Sequence, residues 1–307
     1  MGNILTVTAN PAIDRVYFVE NFRIGQVHRP IKAVFTAGGK GLNVSRVCSL
    51  LGEKVTATGF LGGYNGAFIR SEVKKLGITD GFTQIDGETR QCINISEQNG
   101  VSSEILESGP AISPEERDSF LNSFQVYVKD ADIITVSGSL PSGLDTSLYI
   151  SILQLAKTYN KKVLFDVSGK TLAVMVANKP FMVKPNKDEF MKLTGWPAFE
   201  PEKALLFLRE QGVEIPFISL GKEGAVALID EKVYSFSVPT VNAVNTVGSG
   251  DSTVAGIATG ISRGLPLWDA IRLGMAAGVA NTMFEQTGVV SKELVADFYK
   301  QITVDAG

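Results

Sequence analysis

Short, unbroken apolar runs recur along the chain: ILTVT (4–8), VTATGF (55–60), DIITVS (132–137), KVLFDV (162–167), FMVK (181–184) and IPFISL (215–220). A strand with one wet face alternates apolar and polar residues. A continuous run instead predicts a strand buried on both faces, as in a parallel sheet. Between the runs the period changes. Val44, Val47, Cys48 and Leu51 recur at i, i+3, i+4, i+7, as do Val254, Ile257, Ala258 and Ile261. That spacing predicts amphipathic helices, and a further helix is expected over about 266–284. Strand and helix in alternation predict a layered α/β fold.

Two segments break the rhythm. Residues 81–107 carry two turn dipeptides, Asp86-Gly87 and Asn99-Gly100, each between short β-rich runs. Such a pattern predicts hairpins. Residues 15–36 are also β-rich and lack a helical period. Together they predict a small antiparallel sheet projecting from the main body. No repeat or low-complexity linker interrupts the chain, so one domain over 1–307 is expected, with a large core.

Composition works here by exclusion. Charged residues are 20% and hydrophobic residues 44%, which sets disorder aside. A net charge of −3 draws the chain to neither nucleic acid nor a membrane surface. An anionic ligand therefore needs a local cluster of Lys and Arg. Cys48 and Cys92 are the only cysteines, with neither metal spacing nor a disulfide framework. Reduced thiols and a cytoplasmic location are expected. No apolar run has the length of a membrane span, and the first residues lack the pattern of a signal peptide. His28, the sole histidine, falls in the β-rich N-terminal part.

The candidate chemistry lies in glycine loops. In NTVGSGDSTVAG (245–256), Gly248, Ser249 and Gly250 precede Asp251 and an apolar helix. Small residues let backbone N–H groups approach a ligand, and a helix start adds unpaired N–H groups and a positive dipole end. Asp251 is then either an N-cap or a general base beside an anion hole. The second arrangement would transfer phosphoryl groups. Two familiar nucleotide motifs fail: position 253 is Thr rather than the third Rossmann glycine, and GGKG (38–41) is followed by Leu42. VKPNKDE (183–189) closes a strand with Lys184 and offers Asn186 and Glu189 at i, i+3. A cation with two oxygen ligands suits Mg²⁺ and phosphate. SLGKEGAV (219–226) is a glycine turn that either admits a flat ligand or is an ordinary hairpin. TAGGKGLNVSR (36–46) is a second glycine loop opening a helix, with Lys40 and Asn43 as its polar groups.

These motifs resemble those of the PfkB (ribokinase-like) carbohydrate kinases. AGGKGLNVSRV matches the first family signature, NTVGSGDSTVAG the second and KPNKDE the NxxE motif, and the likeness runs from TANPAIDR to the C-terminal helices. Gly-Ser-Gly-Asp stands where the family more generally has Gly-Ala-Gly-Asp, and Ser keeps the side chain small. GETRQC, ILESGP and VGSGDSTVAGI resemble the tagatose-6-phosphate kinase branch, with 1-phosphofructokinase beside it.

The resemblance implies a three-layer sandwich with a mainly parallel central sheet, plus a β-sheet lid from about 15–36 and 81–107. It implies ATP and Mg²⁺ as cofactors and leaves activation by K⁺ open. The implied acceptor is a ketohexose phosphate: D-tagatose 6-phosphate, giving tagatose 1,6-bisphosphate. Fructose 1-phosphate or a non-catalytic sugar-phosphate sensor is the alternative. Asp251 then becomes the base, and the backbone of 248–251 holds the γ-phosphoryl. Lys184 reaches the ATP phosphates, and Asn186 and Glu189 hold Mg²⁺ through water. Ser219, Gly221 and Gly224 line the adenosine site, with Asn281 near the base. Asp14, Gly38, Gly39 and Asn43 bind sugar hydroxyls, and Lys40, Arg90 and Arg29 hold the sugar's phosphate. A small sheet cannot bury both faces alone, so a homodimer through the lid is expected.

Overall fold

The computed structural model describes residues 2–97 and 101–307. In chain order the strands are β1 (Asn3–Thr8), β2 (Ala12–Val19), β3 (Lys32–Gly38), β4 (Lys54–Gly62), β5 (Thr79–Asp80), β6 (Thr83–Ile85), β7 (Arg90–Glu97) and β8 (Ser102–Leu106). They continue with β9 (Ile133–Ser137), β10 (Lys162–Asp166), β11 (Met182–Val183), β12 (Ile215–Ser219), β13 (Ala225–Ile229), β14 (Lys232–Ser237) and β15 (Thr303–Ala306). The helices are α1 (Lys40–Leu50), α2 (Gly63–Lys75), α3 (Pro114–Tyr127), α4 (Ser147–Thr158), α5 (Gly169–Ala177), α6 (Lys187–Thr194), α7 (Pro201–Glu210), α8 (Ser249–Ser262), α9 (Leu267–Asn281) and α10 (Lys292–Gln301).

The main sheet runs β15-β14-β13-β12-β11-β10-β9-β1-β4-β5, with β6 also paired to β4. From β12 to β5 every pairing is parallel, whereas β12 to β15 are antiparallel. The unbroken apolar runs follow from this topology. Ile4, Ile133, Leu164 and Phe217 point into one core, shared with α1, α2, α8, α9 and α10. Their neighbours Leu5, Ile134, Phe165 and Ile218 point into the other, shared with α3 to α7. Successive strand residues face opposite sides, so a sheet covered on both faces needs apolar residues at every position. The result is the expected three-layer α/β sandwich. No helix among the described residues is long and apolar enough to cross a membrane.

The lid is a separate four-stranded sheet, β3-β2-β7-β8. It differs from the expectation in three ways. β2 and β7 pair in parallel, so the sheet is mixed rather than antiparallel. Its first strand begins at Ala12, not at residue 15. β6 belongs to the main sheet, in parallel with β4, so the lid takes in 90–106 rather than all of 81–107. Asp86-Gly87 is accordingly no hairpin turn. Neither residue adopts the positive φ that a type I′ turn requires, and the Asp86 N–H donates to Glu116 Oε1 at 2.8 Å. The dipeptide carries the chain from the main sheet into the lid. Asn99-Gly100 lies outside the described residues, while β7 and β8 on either side of it pair antiparallel. All four lid strands meet the main domain along one rim, where Ala12 pairs with both Gly38 and Arg90 and Cys92 pairs with Leu106.

Candidate active site

A cleft of about 1590 Å³ opens between the lid and the C-terminal ends of the parallel strands. The main sheet changes direction there: β1 leads across the lid to β4 on one side and has β9 on the other. Open α/β sheets bind ligands at such a switch point.

At one wall, α8 starts from Gly248, whose φ of 81° is the left-handed conformation that favours glycine. A Cβ there would lie 2.5 Å from Thr287 Cγ2. Gly248, not Asp251, is the N-cap, so the role the sequence left open is decided against capping. Among the described residues no acceptor faces the backbone N–H groups of Gly250 and Asp251. Lys184 stands over this helix start, its Nζ 3.2 Å from where a Gly250 Cβ would be.

The Asp251 carboxylate accepts a 2.8 Å hydrogen bond from Asn43 Nδ2 through Oδ2. It is 6% exposed. Burial, and then the like charge of Asp166, push its carboxyl up to about 7, against the Asn43 hydrogen bond and the charges of Lys40 and Lys184. A carboxyl poised near neutrality is suited to general-base work.

Asp166 escaped the sequence reading. It ends β10, is 1% exposed, and holds Lys184 Nζ at 3.3 Å and Lys40 Nζ at 3.7 Å on the same oxygen. Neither carboxylate oxygen has a hydrogen-bond partner. An acid closing an apolar run at the C-terminal end of a strand was its one signal in the sequence. Its charge, opposed by burial, holds the Lys40 ammonium above the ordinary lysine range. Lys40 therefore stands at the Lys184 end of the cleft rather than with Arg90.

Asn186 and Glu189 form a reciprocal capping box at the start of α6. Glu189 N–H donates to Asn186 Oδ1 at 2.8 Å, and Asn186 N–H donates to Glu189 Oε2 at 2.9 Å. Asn186 Oδ1 is thereby engaged, and Glu189 keeps Oε1. Ser219, bridged to Asn186, and Gly221 and Gly224 continue the cleft wall. They sit on the β12–β13 connection, which is an antiparallel hairpin.

On the lid side, Asp14 lies against Gly38, where a Cβ would fall 2.0 Å from Asp14 Oδ2. Burial raises the Asp14 carboxyl to about 6, while Arg46, Arg90 and the Gly39 N–H pull it down. Gly39, Lys40 and Asn43 line the same cleft. Arg90 lines it too, but its guanidinium is tied to the carbonyls of Asn10 (3.0 and 3.2 Å) and Glu107 (2.9 Å).

Two expected residues are not brought to the site. Arg29 is exposed on the connection between β2 and β3 and does not line the cleft. Asn281 is fully buried behind it. Its Nδ2 donates to the Val247 carbonyl at 2.9 Å and its Oδ1 accepts from Gly288 N–H at 2.8 Å. Both ends of that amide brace loops, and the side chain does not line the cleft.

Comparison with known proteins identifies the family. The profile described as pfkB family carbohydrate kinase matches residues 5–292. A tagatose-6-phosphate kinase of Staphylococcus epidermidis is 40% identical over 307 residues, covering 98% of this chain and 99% of its own. A 1-phosphofructokinase of Bacillus subtilis is 36% identical over 304 residues, with 98% and 99% coverage. The crystal structure of phosphofructokinase-2 from Escherichia coli in complex with potassium superposes with a TM-score of 0.91 at 26% identity, with 98% and 99% coverage.

Proposed function

Because the chain belongs to the pfkB family of carbohydrate kinases and is an ATP-dependent ketohexose-phosphate kinase, we propose that its acceptor is D-tagatose 6-phosphate and its product tagatose 1,6-bisphosphate. The greater likeness to the tagatose-6-phosphate kinase, 40% against 36% for the 1-phosphofructokinase, supports this acceptor.

One observation carries the mechanism: a buried carboxylate beside unpaired helix-start N–H groups, with two lysines facing it. Asp251 takes the proton of the acceptor hydroxyl as that oxygen attacks the γ-phosphorus. The bond from phosphorus to the ADP oxygen breaks. The N–H groups of Gly250 and Asp251, with Lys184 and Lys40, meet the charge that develops on the phosphoryl oxygens. Asp14 and Asn43 receive the sugar's hydroxyls, and the remaining Arg90 N–H groups its phosphate. Among the described residues no three acidic, His or Cys side chains gather as a metal cage. Mg²⁺ needs only one or two carboxylates beside phosphate oxygens, and Glu189 with the Asp166 carboxylate, whose oxygens accept no hydrogen bond, fits that demand. These two would hold Mg²⁺, which supplies positive charge to the phosphates when bound.

The chain also forms a homodimer through the lid in this reading. Arg15, Phe35, Ile93 and Ile105 share the face opposite to Asp14, Thr36 and Cys92. Phe35 and Ile105 are 46% and 58% exposed there, an apolar surface that suits a second copy. The test of the acceptor is kcat/KM over D-tagatose 6-phosphate, fructose 6-phosphate and fructose 1-phosphate. D-Tagatose 6-phosphate is expected to rank first; a first rank for fructose 1-phosphate would install the 1-phosphofructokinase reading instead.

A further inference from the structure

Arg46 lies one helical turn beyond Asn43 on α1 and has no part in the chemistry above. Its Nη1 donates to Asn43 Oδ1 at 3.0 Å and to the Thr287 carbonyl at 3.1 Å, and its Nη2 donates to the Ala37 carbonyl. Asn43 in turn gives its Nδ2 hydrogen to Asp251. A side-chain amide has one accepting end and one donating end, and rotation exchanges them. A guanidinium only donates. With Arg46 against one end of Asn43, that end must be the carbonyl oxygen, and the NH₂ end is left facing Asp251. The flipped amide would place two acceptors together at the base and a donor against a donor at Arg46.

A second line of contacts leaves the same guanidinium. Gly288 packs on both residues: a Cβ there would lie 2.9 Å from Arg46 Nη1 and 3.0 Å from Asn43 Cβ. Gly288 N–H is held by Asn281, which also holds the Val247 carbonyl beside the Gly248 turn. Arg46 is thus linked to the base through Asn43 and to the Gly248 turn through Gly288 and Asn281.

We infer that Arg46 is a positioning residue for phosphoryl transfer, fixing the Asn43 amide so that Asp251 is oriented with Oδ1 free for the acceptor hydroxyl. The inference rests on the reading of Asp251 as the base. The groups around that base are Asp166 at the end of β10, Lys40 and Asn43 on α1, and Lys184 after β11. Those around Arg46 are Asp14 on β2, Glu72 on α2 and Asp251 on α8. Donation from Asn43 opposes the burial of Asp251, so loss of that orientation moves the base toward its protonated form.

The experiment is the pH profile of kcat at saturating substrates for Arg46→Met, Asn43→Ala and the double variant. Arg46→Met keeps a long apolar stem and removes the donors. Its kcat should fall about 10- to 100-fold at pH 7, with the acid limb displaced to higher pH so that the loss shrinks by pH 8.5. The double variant should be no worse than Asn43→Ala, because one residue acts through the other. Arg46→Lys, which also only donates, should recover part of the activity. An acid limb that stays in place, or single losses that multiply in the double variant, overturns the inference. If Arg46→Met does not fold by thermal unfolding, Arg46→Lys combined with Asn43→Ala provides the same comparison. Asp251→Asn measured alongside separates the two levels: wild-type kcat in that variant removes the base itself, whereas its loss beside an unshifted Arg46→Met profile removes only the role of Arg46.

Discussion

Asp251→Asn should do two things of opposite sign. Asn keeps the size of the side chain and can still accept the Asn43 hydrogen bond through its carbonyl. It cannot take a proton from a hydroxyl. The expected loss in kcat is about 10²- to 10⁴-fold, the usual range for a general base. Stability should move the other way. The folded protein raises this carboxyl from 3.8 to about 7, chiefly by burial. The folded state therefore holds a proton that the unfolded chain has released. Stability falls as pH rises through that window and levels off above it. At about 1.4 kcal/mol per pH unit, keeping the carboxylate ionised costs at most about 4 kcal/mol. Asn has no charge to keep, so the variant should unfold at a higher temperature than the wild type at pH 8, by about 2 °C per kcal/mol. The difference should vanish near pH 4. Thermal unfolding of both proteins across pH 4–8.5 without substrates, paired with ADP release at saturating substrates, measures both effects. A kcat above about half of wild type would falsify the base assignment. A difference in unfolding temperature that is constant across the pH range would refute the ionisation argument.

Arg90→Ala should raise KM for the sugar phosphate about 10- to 150-fold, the value of a charge-assisted hydrogen bond, and leave KM for ATP nearly unchanged; a change confined to ATP would reverse the two substrates. Light scattering at micromolar concentration should report a dimer, and Phe35→Glu with Ile105→Glu on the outer lid face should convert it to a monomer; a wild-type monomer with full activity would argue against lid-to-lid assembly.

The parallel strands were legible because burial on both faces leaves an unbroken apolar run, and the helices because one face repeats. Asp251, Lys184 and Asn43 were legible because each sits in a glycine loop or strand end whose local geometry already suggests a ligand. Asp166 and Arg46 were not. Their meaning depends on sheet order, which sets the end of β10 beside the end of β11 and turns α1 toward the Thr287–Gly288 turn. The parallel pairing of β2 with β7 was equally hidden, since no local signal joins Ala12 to Arg90. Asn281 misled because an amide between two loops and an amide facing a ligand read alike in one dimension.

Any tilt of the lid would turn about the rim along which its strands join the main domain. Strands of seven or eight residues carry the far edge about 23 Å from that line. Asp14, two residues from Ala12, is only about 7 Å out. A tilt of about 10° would therefore swing the outer edge by about 4 Å and Asp14 by about 1 Å. Arg90, on the line itself, stays almost still. A lid turning in this way would clear the mouth of the cleft while the residues proposed to receive the sugar, close to that line, keep their places.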